Sequence, residues 1–460
     1  MISALQSRTA RWGVAATCLA ALAGVSALGI AWADSPSPSS APLPQPASTI
    51  APLPAPTGPT ATPAGVSAAL APVLADPSLG SPMGLLVADG TTGSTLFDSL
   101  SSTPLVPAST QKVLTSAATL RGLGTDTVLT TRVVSNPDGT VVLVGGGDPL
   151  LTADPGADGA GTSILGLASS TAAALRDKGI TSARVAIDDS AFTGPIAGPA
   201  WDDDDLTDCL VRPIQALSLF APAAENPTDC TAPDPDPALT AGKVFAERLA
   251  AFGVTVSGEV TRATAAATAN TLATGESRPV AALVEQMLTD SDNTSAEMLA
   301  HLLGGKVAGE ASFAGGAKAV TSEITRLGVP TAGLLVLDGS GLSTADRVAP
   351  ATVSAVLHKV VTGADPALWP IASGLPVAGF DGTLADRFAA PDTLAGRGDV
   401  RAKTGTLTGV SALSGQVVSA DGQLLTFVLI SNGAEDILAS RAAQDKVAAT
   451  LATCGCHPGA

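Results

Sequence analysis

Pro107-Ala108-Ser109-Thr110-Gln111-Lys112 sets a serine and a lysine three residues apart. A serine hydroxyl is a weak nucleophile until a neighbouring group takes its proton. In a helix, positions i and i+3 share a face, so Lys112 can stand beside Ser109. Residues 113–120 hold neither Gly nor Pro and suit a helix. Pro107 suits its start, where a missing N–H costs little. Alone, S-x-x-K is a weak signal, because both residues are common and a helix start with a solvated lysine matches it equally well.

Two strings downstream strengthen it. Ser291-Asp292-Asn293 and Lys403-Thr404-Gly405 follow in that order. S-x-x-K, S-D-N and K-T-G together form the signature of class A β-lactamases and penicillin-binding proteins. The chain therefore resembles the penicillin-recognising serine acyl-transferases. Residues 113–290 separate the first two motifs, a much longer gap than class A β-lactamases have. An insertion there resembles the class C low-molecular-mass penicillin-binding proteins, the D-alanyl-D-alanine carboxypeptidase/endopeptidase family. Residues 145–150 (G-G-G-D-P-L), 188–192, Trp201, 338–343 (D-G-S-G-L-S) and 382–384 (G-T-L) look like the same family.

The resemblance implies an α/β fold: a transpeptidase/β-lactamase-like catalytic domain, with an antiparallel sheet between helices and a mixed α/β insertion. The catalytic segments are expected at 66–130 and 275–452, with the insertion at 131–274. The implied function is an exported serine-type D-Ala-D-Ala carboxypeptidase, with DD-endopeptidase activity open to the same site. It would act on peptidoglycan stem peptides and be acylated by β-lactams, using no cofactor and no metal.

Carried onto this chain, Ser109 attacks the penultimate D-alanine carbonyl and Lys112 is its base. Ser291 relays a proton to the leaving amine, with Lys403 behind it, and Asn293 holds the substrate amide. Thr404, Gly405 and Lys403 receive the terminal carboxylate end. The backbone N–H groups of Ser109 and Thr406 form the oxyanion hole. Asp188 and Phe192 match a pocket for a diaminopimelate side chain. Family members commonly place an arginine after D-G-S-G-L-S for that pocket. Here the position is Thr344, and Arg347 is the nearest substitute. A β-lactamase is the alternative enzyme, but no E-x-x-L-N string lies between the second and third motifs. A non-catalytic penicillin- or wall-binding protein is the other, and the intact Ser109, Lys112 and Lys403 argue against it.

The rest of the chain fits export. Arg8 and Arg11 precede an uncharged apolar run, 13–30, and Ala31-Trp32-Ala33 forms an A-x-A cleavage pattern. The run reaches the length of a membrane span, so residues 1–33 read as a signal peptide or a single-span anchor. Residues 34–65 are rich in Pro, Ala, Ser and Thr and read as an extended spacer. The net charge of −17 argues against nucleic acid, whose phosphates require clustered cations. Cys209, Cys230, Cys454 and Cys456 are disulfide candidates in an exported protein. Cys209 is expected to pair with Cys230. Cys454 and Cys456 lie in a tail at 453–460, where a C-x-C bridge would be cramped. The acidic run 202–205 reads as a solvated loop.

Strand patterns are expected at 84–89 and 94–98, at 128–134 and 140–144, and at 400–406, 411–418 and 424–430. Helical patterns are expected at 164–177, 245–252, 280–288, 296–303, 317–327, 351–361 and 434–451.

Overall fold

The computed structural model describes residues 60–156, 161–220, 230 and 233–457. The apolar run 13–30 and most of the spacer lie outside them. Among the described residues no helix is long and apolar enough to cross a membrane.

The chain enters through α1 (Pro63–Leu74), capped by the Thr62 side chain on Gly65 N with Pro at the first position. Strands β1 (Met83–Asp89) and β2 (Thr95–Ser99) form a hairpin, and α2 (Gln111–Leu123) follows. The inserted stretch holds β3 (Thr130–Ser135), β4 (Val141–Val144), α3 (Ile164–Asp177), β5 (Ser182–Ala183) and β6 (Val185–Asp188). It continues through α4 (Pro237–Ala251), β7 (Thr255–Val256), β8 (Thr261–Arg262) and β9 (Asn270–Glu276). Helices α5 (Val280–Asp290), α6 (Asn293–Leu303), α7 (Phe313–Arg326), α8 (Pro350–Val361) and α9 (Trp369–Gly374) come next. The chain closes with β10 (Arg401–Leu407), β11 (Val410–Val418), β12 (Leu424–Asn432) and α10 (Ile437–Ala452).

One antiparallel sheet runs β10-β11-β12-β1-β2. Its two faces follow the strand period of two. Ala412, Val428 and Ile430 pack into a core shared with α2 and α5–α9. Their neighbours Leu413, Phe427 and Leu429 pack against α1 and α10. The result is an antiparallel sheet between two helical layers, with β10 at its edge.

A second sheet, β8-β6-β4-β3-β9, is mixed. Its β6–β4 and β6–β8 pairs are parallel, while β3 pairs antiparallel with β4 and β9. Helices α3 and α4 cover one face through Ile164, Leu167, Phe245 and Leu249.

Two expectations shift at the ends of the chain. The spacer was expected to reach residue 65, but Pro63 already opens a helix. Ahead of it, Ala61 N donates to Gln423 Oε1 (2.7 Å) and Thr62 N to Cys456 O (2.7 Å). The cysteine tail is likewise part of the body. Cys454 and Cys456 are bonded to each other and buried, and a side chain on Gly65 would collide with the Cys456 carbonyl. Cys209 and Cys230 are also bonded, with Cα atoms 5.5 Å apart.

Candidate active site

Ser109 sits in a single 3-10 turn, Ala108–Thr110, that leads into α2. Ala108 just before it adopts φ 46°, unusual for a residue with a side chain. Two glycines let other segments approach this turn. A side chain at Gly341 would collide with the Ala108 carbonyl, and one at Gly405 would meet Pro107 O and Ser109 N at 3.0 and 3.1 Å. The glycine of K-T-G therefore lets the edge strand approach the nucleophile's own backbone.

Lys112 is fully buried. Its Nζ stands 2.8 Å from Ser109 Oγ, 2.6 Å from Asn293 Oδ1 and 2.8 Å from Ser340 O. Burial pulls its pKa down to about 8, although Asp338, Glu297 and Asp292 nearby favour the charged form. Lys403 is equally buried, with Nζ 2.8 Å from Ser291 Oγ and 2.9 Å from Thr404 O. Burial, then the charge of Lys112, holds Lys403 well below the usual lysine range.

Ser291 is placed by a helix break. It caps α5 in the left-handed conformation, φ 59° and ψ 31°. Asp292 then caps α6 by accepting from Ser295 N (2.6 Å). Asn293 Oδ1 faces Lys112, and its Nδ2 donates to Leu210 O (2.8 Å). Both ends of the amide are thus held by the protein. Asn293 ties α2 and α6 to the insertion, and its Nδ2, which carries a second N–H, lines the cleft.

The D-G-S-G-L-S loop is held by two carboxylates. Asp338 accepts from Gly341 N (2.7 Å), Ser343 N (2.7 Å) and Trp201 Nε1 (2.8 Å). Glu297 accepts from Gly339 N (2.8 Å) and Ser340 N (2.7 Å). Their effect is to aim the Ser340 carbonyl at Lys112. Sequence reading missed Glu297. The available signal was a glutamate one turn after Asn293 among apolar neighbours, since a buried carboxylate needs partners.

On β10, Ala402 N donates outward to Pro376 O (3.0 Å). Strand alternation then turns the N–H groups of Thr404 and Thr406 toward the same open edge. Thr404 Oγ1 meets Thr383 Oγ1 of G-T-L at 2.8 Å. Arg441 on α10 donates to Thr406 Oγ1 (2.9 Å). Thr383 lies in the G-T-L string read from the sequence, where it had no role, and Arg441 was not singled out.

These groups open on a cleft of about 1080 Å3 lined by Ser109, Ser291, Asn293, Thr404 and Thr406. Asp202 and Asp205 line it too, and Asp205 is buried, so the acidic run is not simply a solvated loop. Burial raises Asp205 to about 6. Asp188, Phe192 and Arg347 do not line this cleft. The Asp188 carboxylate accepts from Ser190 Oγ (2.6 Å), Ser190 N (3.1 Å) and Ala265 N (2.8 Å). Arg347 donates to Thr344 O (3.0 Å) and Asp346 O (2.7 Å) of its own loop. Phe192 stacks at a tilt on His301, 5.0 Å between rings, and packs in a cluster that includes Leu342 and Leu407 of the cleft wall.

A family model, D-Ala-D-Ala carboxypeptidase 3 (S13), matches residues 66–229 and 220–454. A carboxypeptidase of Mycobacterium tuberculosis is 39% identical over 87% of this chain and 86% of its own. A D-alanyl-D-alanine carboxypeptidase of Actinomadura sp. is 32% identical over 84% of each. In structure the chain is similar to penicillin binding protein 4 of Haemophilus influenzae. The TM-score is 0.67 at 23% identity, covering 82% of this chain and 98% of that one. That protein has also been solved complexed with a β-lactam (TM-score 0.61, 24% identity, the same coverage).

Proposed function

The chain belongs to the D-Ala-D-Ala carboxypeptidase 3 (S13) family, and from that premise we propose how its residues divide the work. It is a D-Ala-D-Ala carboxypeptidase that acts on peptidoglycan stem peptides, outside the cytoplasm, and binds β-lactams. Ser109 Oγ attacks the carbonyl carbon of the penultimate D-alanine while Lys112 Nζ takes the hydroxyl proton. The resulting oxyanion accepts from the N–H groups of Ser109 and Thr406. Ser291 passes a proton to the departing amine and is re-protonated from the lysine pair behind it. Terminal D-alanine leaves, and the acyl group stays on Ser109 as an ester. Water then attacks the ester with Lys112 again as base, which releases the shortened stem and restores the serine. A cross-linked stem presents the same kind of bond, so DD-endopeptidase activity uses the same steps.

The observation that carries this reading is Lys112 Nζ at 2.8 Å from Ser109 Oγ, fully buried and pushed toward the neutral form a base requires. The test is intact-protein mass spectrometry after incubation with penicillin and with a pentapeptide stem. One penicilloyl adduct on Ser109 and release of one D-alanine per stem are expected. Ser109→Ala should lose both, and labelling that persists elsewhere would reassign the nucleophile.

A further inference from the structure

Each lysine of the cleft is already occupied. Lys112 is held by Ser109, Asn293 and Ser340, and Lys403 by Ser291 and the Thr404 carbonyl. Both are buried without a carboxylate in ion-pair contact among the described residues. Burial disfavours the charged form of each. A substrate with a free terminal carboxylate requires a cation at its landing place, and these two are poorly suited to supply it.

Arg441 is placed to do so. It lines the cleft with Thr404 and Thr406 and enters from α10, on the sheet face to which those two side chains point. Among the described residues its side-chain bond is the one to the Thr406 hydroxyl, which uses a single N–H of the guanidinium's five. The neighbouring carboxylate, Asp445, is already paired with Arg387 at 2.7 Å, and Arg387 also donates to the Arg441 carbonyl (3.0 Å), which anchors that turn of the helix. Arg441 is thus a half-buried guanidinium facing the cleft, without an ion-pair partner among the described residues. Burial, then the charge of Arg387, lowers its pKa against the opposing charge of Asp445, and an added anion would offset the repulsion from Arg387.

We propose that Arg441 is a specificity-determining residue that receives the terminal carboxylate of the substrate, together with the hydroxyls of Thr404 and Thr406. This rests on the carboxypeptidase reading above. Arg441 makes the site select a free C-terminus, while Lys403 serves the proton relay.

The test uses two acyl-D-alanyl thioesters that differ at one group: a thioglycolate leaving group with its carboxylate, and the corresponding neutral thioglycolamide. Both report acylation of Ser109 by thiol release. Arg441→Gln can keep a hydrogen bond to Thr406 but loses the charge, and Arg441→Lys keeps the charge. A charge-assisted bond is worth about tenfold to a hundredfold in rate. Arg441→Gln should lower kcat/KM by that factor on the carboxylate substrate and by less than about threefold on the amide. Arg441→Lys should recover part of the loss. Equal losses on both substrates would make Arg441 a structural support and overturn the proposal. Undiminished preference for the carboxylate in Arg441→Gln would also overturn it, by placing the cation elsewhere. If wild type turned over neither thioester, the acylation scheme itself would fall, an outcome distinct from either.

Discussion

The cleft and the inserted unit treat charge in opposite ways. In the cleft, Lys112 and Lys403 are fully buried against hydroxyls, an amide and carbonyls, with no carboxylate in ion-pair contact among the described residues. In the inserted unit, Asp188 is closed off by Ser190 and Ala265, and Arg262 bridges Asp189 (3.1 Å) and Asp236 (2.6 Å). A buried cation without a counter-charge costs stability, and proteins hold such groups where chemistry needs them. A paired charge on a loop needs no functional reason. The contrast separates motif matches that can act from those that hold the backbone together.

The largest effect should come from removing the base that stands against Ser109. Lys112→Met replaces the ammonium with an apolar chain of similar length. Loss of the base should cut acylation of Ser109 by at least about a thousandfold, measured as stopped-flow labelling with a fluorescent penicillin. Burial opposes the charge while Asp338, Glu297 and Asp292 favour it, so melting temperature should change little. A large fall in stability with retained labelling would erase the distinction between the two regions.

Proton dependence sharpens the same contrast. The base must be neutral, so kcat/KM should climb with pH and level near the value of about 8 to which burial draws Lys112. Two pH units below that point the loss should be about a hundredfold. The stability sign follows from linkage. An unfolded lysine keeps its proton up to about 10.4, so between about 8 and that value the unfolded chain binds more protons, and this group's contribution to stability rises with pH. An activity limb near the ordinary lysine value would show that Lys112 is not desolvated during catalysis.

Asp188→Asn probes the other region and should behave in the opposite way. Burial raises this carboxyl, but hydrogen bonds from Ser190 and Ala265 outweigh it and leave the pKa lowered. Such a group stabilises the fold above the ordinary carboxylate range, and that contribution is lost as pH falls through its folded value. Substitution should cost about 1–3 kcal/mol of stability at neutral pH, read by urea unfolding, with acylation changed less than about threefold. A selective loss of activity would return Asp188 to the substrate pocket.

The three motifs and the segments around them were legible because each is local. The near-continuous apolar run 424–430 marks a central strand, and the Gly-free run 113–120 after Lys112 marks α2. What could not be read came from tertiary contact. Helix α6 begins at Asn293, three residues before the expected start, because Ser291 turns left-handed and Asp292 caps. Helix α4 begins at Pro237, well ahead of the apolar signal at 245–252. Glu297 looks like any helical glutamate until the loop at 338–343 folds onto it. Arg441 carries no local mark at all, since its role depends on which sheet face α10 covers.

The smallest expected effect concerns Arg347, where resemblance and geometry differ most. Recognition of a free side-chain carboxylate on the stem would gain from a cation, and a charge-assisted bond is roughly twice as strong as a neutral one. The usual position is occupied by Thr344, whose backbone N and hydroxyl both bond to Ala200 O, at 3.1 and 3.3 Å. Arg347 is pinned beside it: its backbone pairs with Leu335, and one guanidinium nitrogen serves two carbonyls of its own loop. It also does not line the cleft that holds Ser109. Arg347→Ala should therefore leave the ratio of kcat/KM between free-carboxylate and amidated stems within about twofold of wild type, since surface changes of this kind are worth about 0.5 kcal/mol. Thr344→Arg is the complementary change. Thr344 is exposed beside the insertion, so an arginine there adds a cation without displacing packing, and preference for the free carboxylate should rise by about threefold to tenfold. A strong wild-type preference abolished by Arg347→Ala would mean the loop rearranges around substrate. The same preference surviving that change would move the search for its cation to another residue of the insertion.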